Sequence, residues 1–297
     1  MTGAAIGVVD THAHIISSDP TRFPYAPASG ALPDWPPERF VDADKLLARM
    51  TAAGVDRAVL VQYSSAHGYD NRYVLATAGE HPERFVAVCT LDGLQSDAPD
   101  QLTACVRQGA SGLRIRARGR EGGLDWLTCE PLWQRAAELH VPVCVHFMEN
   151  VQAEGLELLP SLLSQFPTLP VVLDHAGNPP WREGPPWYGM QPVLELARFD
   201  QLIIKFATIN LERLHLAQVE PHIALERLVG TFGANRIMWG SDAPNTPGDY
   251  TEMLSWMRSS MATLSEADRT WMLAGTALRV YPKLVEVSNN HVGVSIA

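Results

Sequence analysis

The chain has 297 residues, 46% of them hydrophobic, with a formal net charge of −10. Length and apolar content suit one large domain or two ordinary ones, and the acidic balance excludes general nucleic-acid binding, which relies on Lys and Arg neutralising phosphates. No apolar run approaches the roughly 18 residues that a bilayer span requires, so no membrane partner is expected.

The N-terminal MTGAAIGVVDTHAH lacks the basic segment of a signal peptide and reaches polar residues early, so a cytoplasmic location is expected. Short β-branched runs then recur at 6–10, 57–62, 85–89, 111–116, 141–146, 169–174, 201–206 and 236–240. Most are nearly continuous apolar segments, as in parallel strands buried on both faces. Between them, helical patterns occupy 42–53, 69–81, 97–109, 129–139, 152–165, 190–198, 217–230 and 250–261, with a last helix at 266–281 starting after Ser265. Gly54, Pro82 and Pro167 punctuate the alternation. Eight βα units predict a (β/α)8 TIM-type barrel over 1–284, followed by a tail at 285–297.

Two Pro- and Gly-rich loops, 17–40 after the first strand and 177–189 after the sixth, are long enough to be lids or binding loops. The four cysteines, Cys89, Cys105, Cys129 and Cys144, form no CxxC pair. Cys89 and Cys144 sit in apolar runs and read as core residues in a reducing compartment.

Chemistry concentrates at the carboxyl ends of the strands. The first ends in Asp10-Thr11-His12-Ala13-His14, and residues two apart in a strand share a face, so His12 and His14 are placed to chelate one ion. The fifth strand delivers His146, the sixth Asp174-His175, and the eighth is followed by Asp242. Imidazole and carboxylate together suit zinc or a similar divalent ion. An ion with an open position acidifies its bound water and polarises a carbonyl. The strand-four run Arg114, Arg116, Arg118 and nearby Arg120 offers guanidinium forks for a substrate carboxylate. Arg114 comes first among them, and Arg213, after strand seven, is a weaker candidate. Lys205 reads as the partner of an acid inside the barrel.

As a set, DTHAH, VHF, LDHAG and WGSDAPN resemble the amidohydrolase superfamily, most closely its amidohydrolase-related branch, from Asp10 to about Tyr281. That resemblance implies a (β/α)8 barrel with His12, His14, His146 and Asp242 as metal ligands. It implies Asp242 as general base as well, and His175 as the group that polarises substrate or moves a proton. Binuclear relatives carry a carbamylated strand-four lysine; arginine stands there in this chain, so one ion is expected. The stretch Val61-Gln62-Tyr63-Ser64-Ser65-Ala66-His67-Gly68-Tyr69-Asp70-Asn71 and the tripeptide Phe23-Pro24-Tyr25 resemble the lactonases of the branch. Tyr25 and His67 are therefore further substrate-binding candidates, whereas Asp70 and Asn71 also read as helix caps. His81, His140, His215, His222 and His291 read as surface residues.

The expected activity is hydrolysis of a lactone of a carboxylated metabolite, with a metal-dependent decarboxylase of aromatic or muconate-type acids as the alternative. The expected partners are one divalent ion, zinc first, and a small anionic substrate; a homo-oligomer is compatible with the sequence.

Overall fold

The computed structural model describes residues 7–117, 127, 129–148 and 151–286. Arg118, Arg120 and residues 287–297 of the expected tail lie outside them. Eight parallel strands run in chain order: β1 Val9–Ala13, β2 Arg57–Val61, β3 Phe85–Thr90, β4 Gly112–Ala117, β5 Val143–Phe147, β6 Val171–Leu173, β7 Leu202–Ala207 and β8 Ile237–Gly240. Each pairs with the next. The ring closes where the Asp242 amide donates to the His12 carbonyl at 2.7 Å and the His14 amide to the Ala243 carbonyl at 2.8 Å. With helices between the strands, this is the expected (β/α)8 barrel.

Period-two alternation divides the strand residues into two sets. Leu113, Ile115, Val143, Val145, Val171, Leu173, Leu202 and Ile204 join the large apolar cluster shared with the helices. Val9, Val59, Val88, Cys144, Val172, Ile203 and Met238 form a second cluster inside the barrel, closed below by Ala277, Val280 and Tyr281. A packed plug of this kind leaves only the upper rim open to chemistry.

The first strand lies three residues later than its apolar run suggests. The Gly7 and Val8 amides donate to the Asp56 carboxylate instead of to a strand, at 2.8 and 2.9 Å. Pairing with β2 slips between Asp10 and Ala13, so β1 carries a bulge there. Val9 belongs to the inner cluster and Ala13 to the outer one, so the slip changes which parity faces inward, and His12 and His14 face the mouth. Gly240 makes room for this, because a Cβ on it would stand 2.6 Å from the His12 Cβ.

Three helical expectations change. The expected helix 217–230 is found as Pro221–Phe232, starting on a proline that has no amide to leave unpaired, and a further helix, Thr208–Leu216, precedes it where none was expected. A short helix at Ser64–His67 precedes the expected helix 69–81, which is shortened to Arg72–Glu80. Asn71 does not cap the latter with its side chain; it accepts from the Thr90 amide at 2.8 Å and so ties the turn to β3. The last helix starts on a Ser265 cap as expected but passes through a π turn at Trp271–Gly275.

The loop 17–40 lies against the segment after β2. Its Ala26 and Ala28 amides donate to the Ala66 and Ser64 carbonyls, each at 2.9 Å. The His67 ring completes the junction: Nε2 accepts from the Ser17 amide at 3.1 Å, which leaves Nδ1–H to donate to the Pro24 carbonyl at 3.1 Å. The bond from Ser17 requires the neutral ring, because a protonated Nε2 cannot accept. Burial depresses the His67 pKa below its ordinary 6.5, against an opposing pull from the Pro24 carbonyl and Asp70. The unfolded chain therefore takes up the proton before the folded one does as pH falls. The stability supplied by this junction is present above about pH 6.5 and is lost as pH drops through the depressed value. Thermal melts of wild type and His67→Gln should thus differ at pH 7.5 and converge on acidification. A constant gap down to pH 4.5 would show that the ring's charge state plays no part.

Candidate active site

A cavity of about 400 Å³ opens at the carboxyl ends of the strands. His14, Arg114, Arg116, His146, His175, Arg213 and Asp242 all line it. His12 lies just beneath, fully buried. Seven side chains, from the ends of five strands and one following helix, thus meet at a single rim.

Two of them sit on unusual backbone. His175 and Asp242 follow the ends of β6 and β8 with φ of 54° and 58°, in the left-handed region that non-glycine residues seldom adopt. That turn directs each side chain across the mouth instead of along its strand. Asn210 supports it from below, donating to the His175 carbonyl at 2.8 Å.

The Asp242 carboxylate is held asymmetrically. Its Oδ2 accepts from Asn245 at 2.9 Å and from Thr246 at 2.8 Å. Its Oδ1 is buried without a hydrogen-bond partner and faces His14 Nε2 at 3.5 Å and His12 Nε2 at 3.7 Å. Burial alone would raise this carboxyl, but the close approach of His14, followed by His175 and His12, outweighs it and holds it well below the ordinary range. It is ionised at neutral pH.

The imidazoles are prepared for the opposite role. Burial, with Lys205 next in importance, holds His12 well below its ordinary pKa, and burial with Arg114 does the same for His146. Burial brings His175 down to about 4. All three are neutral at pH 7, and each keeps a buried ring nitrogen without a partner: His12 Nε2, His146 Nδ1 and His175 Nδ1. His14 donates Nδ1–H to the Val61 carbonyl at 2.7 Å, which leaves its Nε2 lone pair facing the cavity. This is the arrangement by which a ligating histidine is usually oriented.

These donors fit a divalent ion. Ligand atoms of His12, His175 and Asp242 lie within 4.8 Å of one another. The 3.5 and 3.7 Å from Asp242 Oδ1 to His14 and His12 lie close to the roughly 3.3–3.6 Å separating donors around a four-coordinate ion with bonds near 2.0–2.2 Å. Where the resemblance implies His146 as a ligand, the group within 4.8 Å contains His175 instead, and the His146 ring packs on that ring at 5.2 Å.

Beneath the mouth lies a polar layer. Asp174 pairs with Arg114 Nε at 2.8 Å and Lys205 Nζ at 2.8 Å, all three buried. The same ammonium stands 3.1 Å from His12 Nδ1. Arg114 does lie opposite the outward Leu113 and reaches the cavity, but its Nε belongs to Asp174. Arg116 contacts Ser64 Oγ and, at 3.6 Å, Met148 Sδ. Arg213 donates to Asn178 at 2.6 Å from the helix Thr208–Leu216. Tyr25 and His67 are not on the cavity wall: the Tyr25 hydroxyl donates to the Ser17 carbonyl at 2.5 Å, and its ring packs on His67.

Tyr63, Asn178 and Asn245 line the cavity without having been singled out from sequence. The signal for Asn245 was present, since a side-chain amide three residues beyond a rim carboxylate is within reach of it. Tyr63 carried none, because a tyrosine after an apolar strand reads equally well as core.

A profile of the amidohydrolase family matches residues 9–283. The L-fucono-1,5-lactonase of Burkholderia ambifaria is 27% identical over 92% of this chain and 94% of its own. Among solved structures, a protein of Pseudomonas putida provisionally assigned as a 2-pyrone-4,6-dicarboxylic acid hydrolase superposes with a TM-score of 0.74. It is 26% identical and covers 94% of this chain and 98% of its own. A zinc-bound amidohydrolase of Burkholderia multivorans superposes at 0.70, with 20% identity over 93% of this chain and 99% of its own.

Proposed function

Because the chain belongs to the amidohydrolase family, we propose that it opens the ring of a lactone derived from a small carboxylated metabolite, using one divalent ion. The observation that carries this reading is the Asp242 carboxylate: one oxygen saturated by Asn245 and Thr246, the other bare among buried imidazoles. The 27% identity to a lactonase across nearly both chains supports the choice of substrate class.

His12, His14, His146 and Asp242, with His175 in close reach, would hold the ion, and zinc suits that donor set. When bound, it would polarise the lactone carbonyl and acidify a coordinated water. The bare Asp242 oxygen accepts the proton of the attacking water as the new C–O bond forms. When the ring C–O bond breaks, the departing oxygen needs that proton, and the neutral His175 ring beside Asp242 relays it. Arg116 and Arg213 supply positive charge on the wall for the substrate carboxylate, as guanidinium groups suit planar anions.

The deciding experiment is a pH-indicator assay over a panel of lactones and carboxylated aromatics, with ion content measured in parallel. Ring opening releases acid, about one divalent ion accompanies each chain, and His146→Ala lowers that occupancy. Release of CO₂ from an aromatic acid would make the protein a decarboxylase, and full activity after chelation would defeat the role of the ion. Charge recognition has a separate test: Arg213→Met should lower kcat/KM roughly tenfold or more on a lactone acid and little on its methyl ester. Equal losses on both would give Arg213 a structural role.

A further inference from the structure

The loop 17–40 is long, Pro-rich and adjacent to the mouth, yet neither Tyr25 nor any other part of it lines the cavity. What it does contribute is Arg39, half-buried at the end of the turn Pro37–Arg39. The Arg39 guanidinium reaches across to the segment that follows β8. Nε donates to the Pro244 carbonyl at 2.9 Å, and Nη2 donates to the Asn245 carbonyl. Those two carbonyls belong to the stretch whose side chains, Asn245 and Thr246, grip Asp242 Oδ2.

A second contact runs in parallel. The Arg39 guanidinium lies over the Trp35 ring at 4.1 Å. Trp35 stacks on Tyr63 at 5.7 Å, with 23° between the planes. Tyr63 in turn packs on His14 at 4.7 Å and points its hydroxyl at Asn245 Oδ1, 3.4 Å away. One arginine thus bears on Asp242 from two sides, through the backbone of 244–245 and through the Trp35–Tyr63 stack. We infer that Arg39 is a positioning residue, and that the loop carrying it works as a fixed strut that keeps the bare oxygen of Asp242 aimed into the mouth.

The physical case is geometric. Asp242 stands on left-handed backbone at the start of a loop, where nothing in local propensity holds its orientation. A planar guanidinium with several donors can fix two successive carbonyls at once, whereas a lysine ammonium can serve them only in turn. Misplacing a reacting group by about 1 Å costs on the order of a hundredfold in rate, so a clamp remote from the substrate can control turnover without touching it.

The test compares Arg39→Met, Arg39→Lys and, as a control in the same loop, Arg22→Met, whose exposed side chain pairs with Glu80 at 3.6 Å. Amide hydrogen exchange is read first and needs no substrate. The Thr246 amide, bonded to the Asp242 carbonyl at 2.8 Å, should exchange roughly tenfold faster or more in Arg39→Met, while the Asp242 amide, bonded to the His12 carbonyl, stays protected. Arg22→Met should leave both unchanged. Turnover is read second, and only this arm depends on the lactonase reading: kcat should fall roughly ten- to a hundredfold with KM nearly constant, and Arg39→Lys should recover part of it. Unaltered Thr246 protection in a folded Arg39→Met protein would overturn the inference. So would a rise in KM with kcat intact, which would make Arg39 a substrate contact. A wild-type protein that opens no lactone would end the lactonase reading and leave the exchange result to decide this one.

Discussion

Asp242→Asn is expected to lower kcat by at least roughly a hundredfold, the scale set by removing a general base. The amide can still accept from Asn245 and Thr246 through its oxygen, so the loop after β8 keeps its shape. What disappears is the bare anionic oxygen among His12, His14 and His175. Steady-state kinetics on the best lactone of the panel, with circular dichroism to confirm the fold, checks both halves. Turnover near that of wild type would remove Asp242 from the mechanism.

Asp174→Ala should cause the largest loss of stability. Asp174 is fully buried between Arg114 and Lys205. Burial alone would raise its carboxyl, but Lys205 and then Arg114 outweigh that and hold it well below the ordinary range. Deleting it strands two buried cations. Breaking a buried ion pair by removing one partner costs about 3–5 kcal/mol. For a domain of about 280 residues, whose unfolding entropy is about 0.6 kcal/mol/K, that corresponds to a fall in Tm of roughly 5–9 °C. Chemical denaturation gives the number directly. Replacing all three charges by Leu and Met should recover much of the loss, since apolar groups of similar volume pack where the charges stood. An Asp174→Ala melt within about 2 °C of wild type would mean that the two cations find other partners.

The barrel was legible in the sequence because its strands are buried on both faces and read as apolar runs, and because helices with clear breakers separate them. The rim residues were legible for a related reason: a His or Asp at the end of an apolar run has no place in a core. Other features were hidden by the same logic. The apolar run 6–10 marks only the lower part of β1, so the bulge that turns His12 and His14 inward could not be seen in a periodic pattern. The helix Thr208–Leu216 begins directly at the end of β7, with no loop residues to announce it, and it carries Asn210 and Arg213 to the site. Arg114 was placed correctly on the inner face by alternation, but alternation says nothing about partners, and the acid that engages it lies 60 positions away. His67 was drawn toward the substrate by its neighbours in the motif, while its two ring nitrogens hold the loop 17–40.

The left-handed backbone at His175 and Asp242 has a consequence for anyone who improves this protein by selection. A non-glycine residue held there costs about 1–3 kcal/mol, so folding and catalysis make opposite demands at those two positions. Glycine relieves the strain at both, whereas asparagine tolerates this region no better than aspartate does. A screen for heat resistance alone should therefore enrich Asp242→Gly and His175→Gly clones that outlast the parent and turn nothing over. Libraries meant to yield a robust catalyst should hold both codons fixed and seek their gains elsewhere on the scaffold, where a tougher protein and a working one are the same protein.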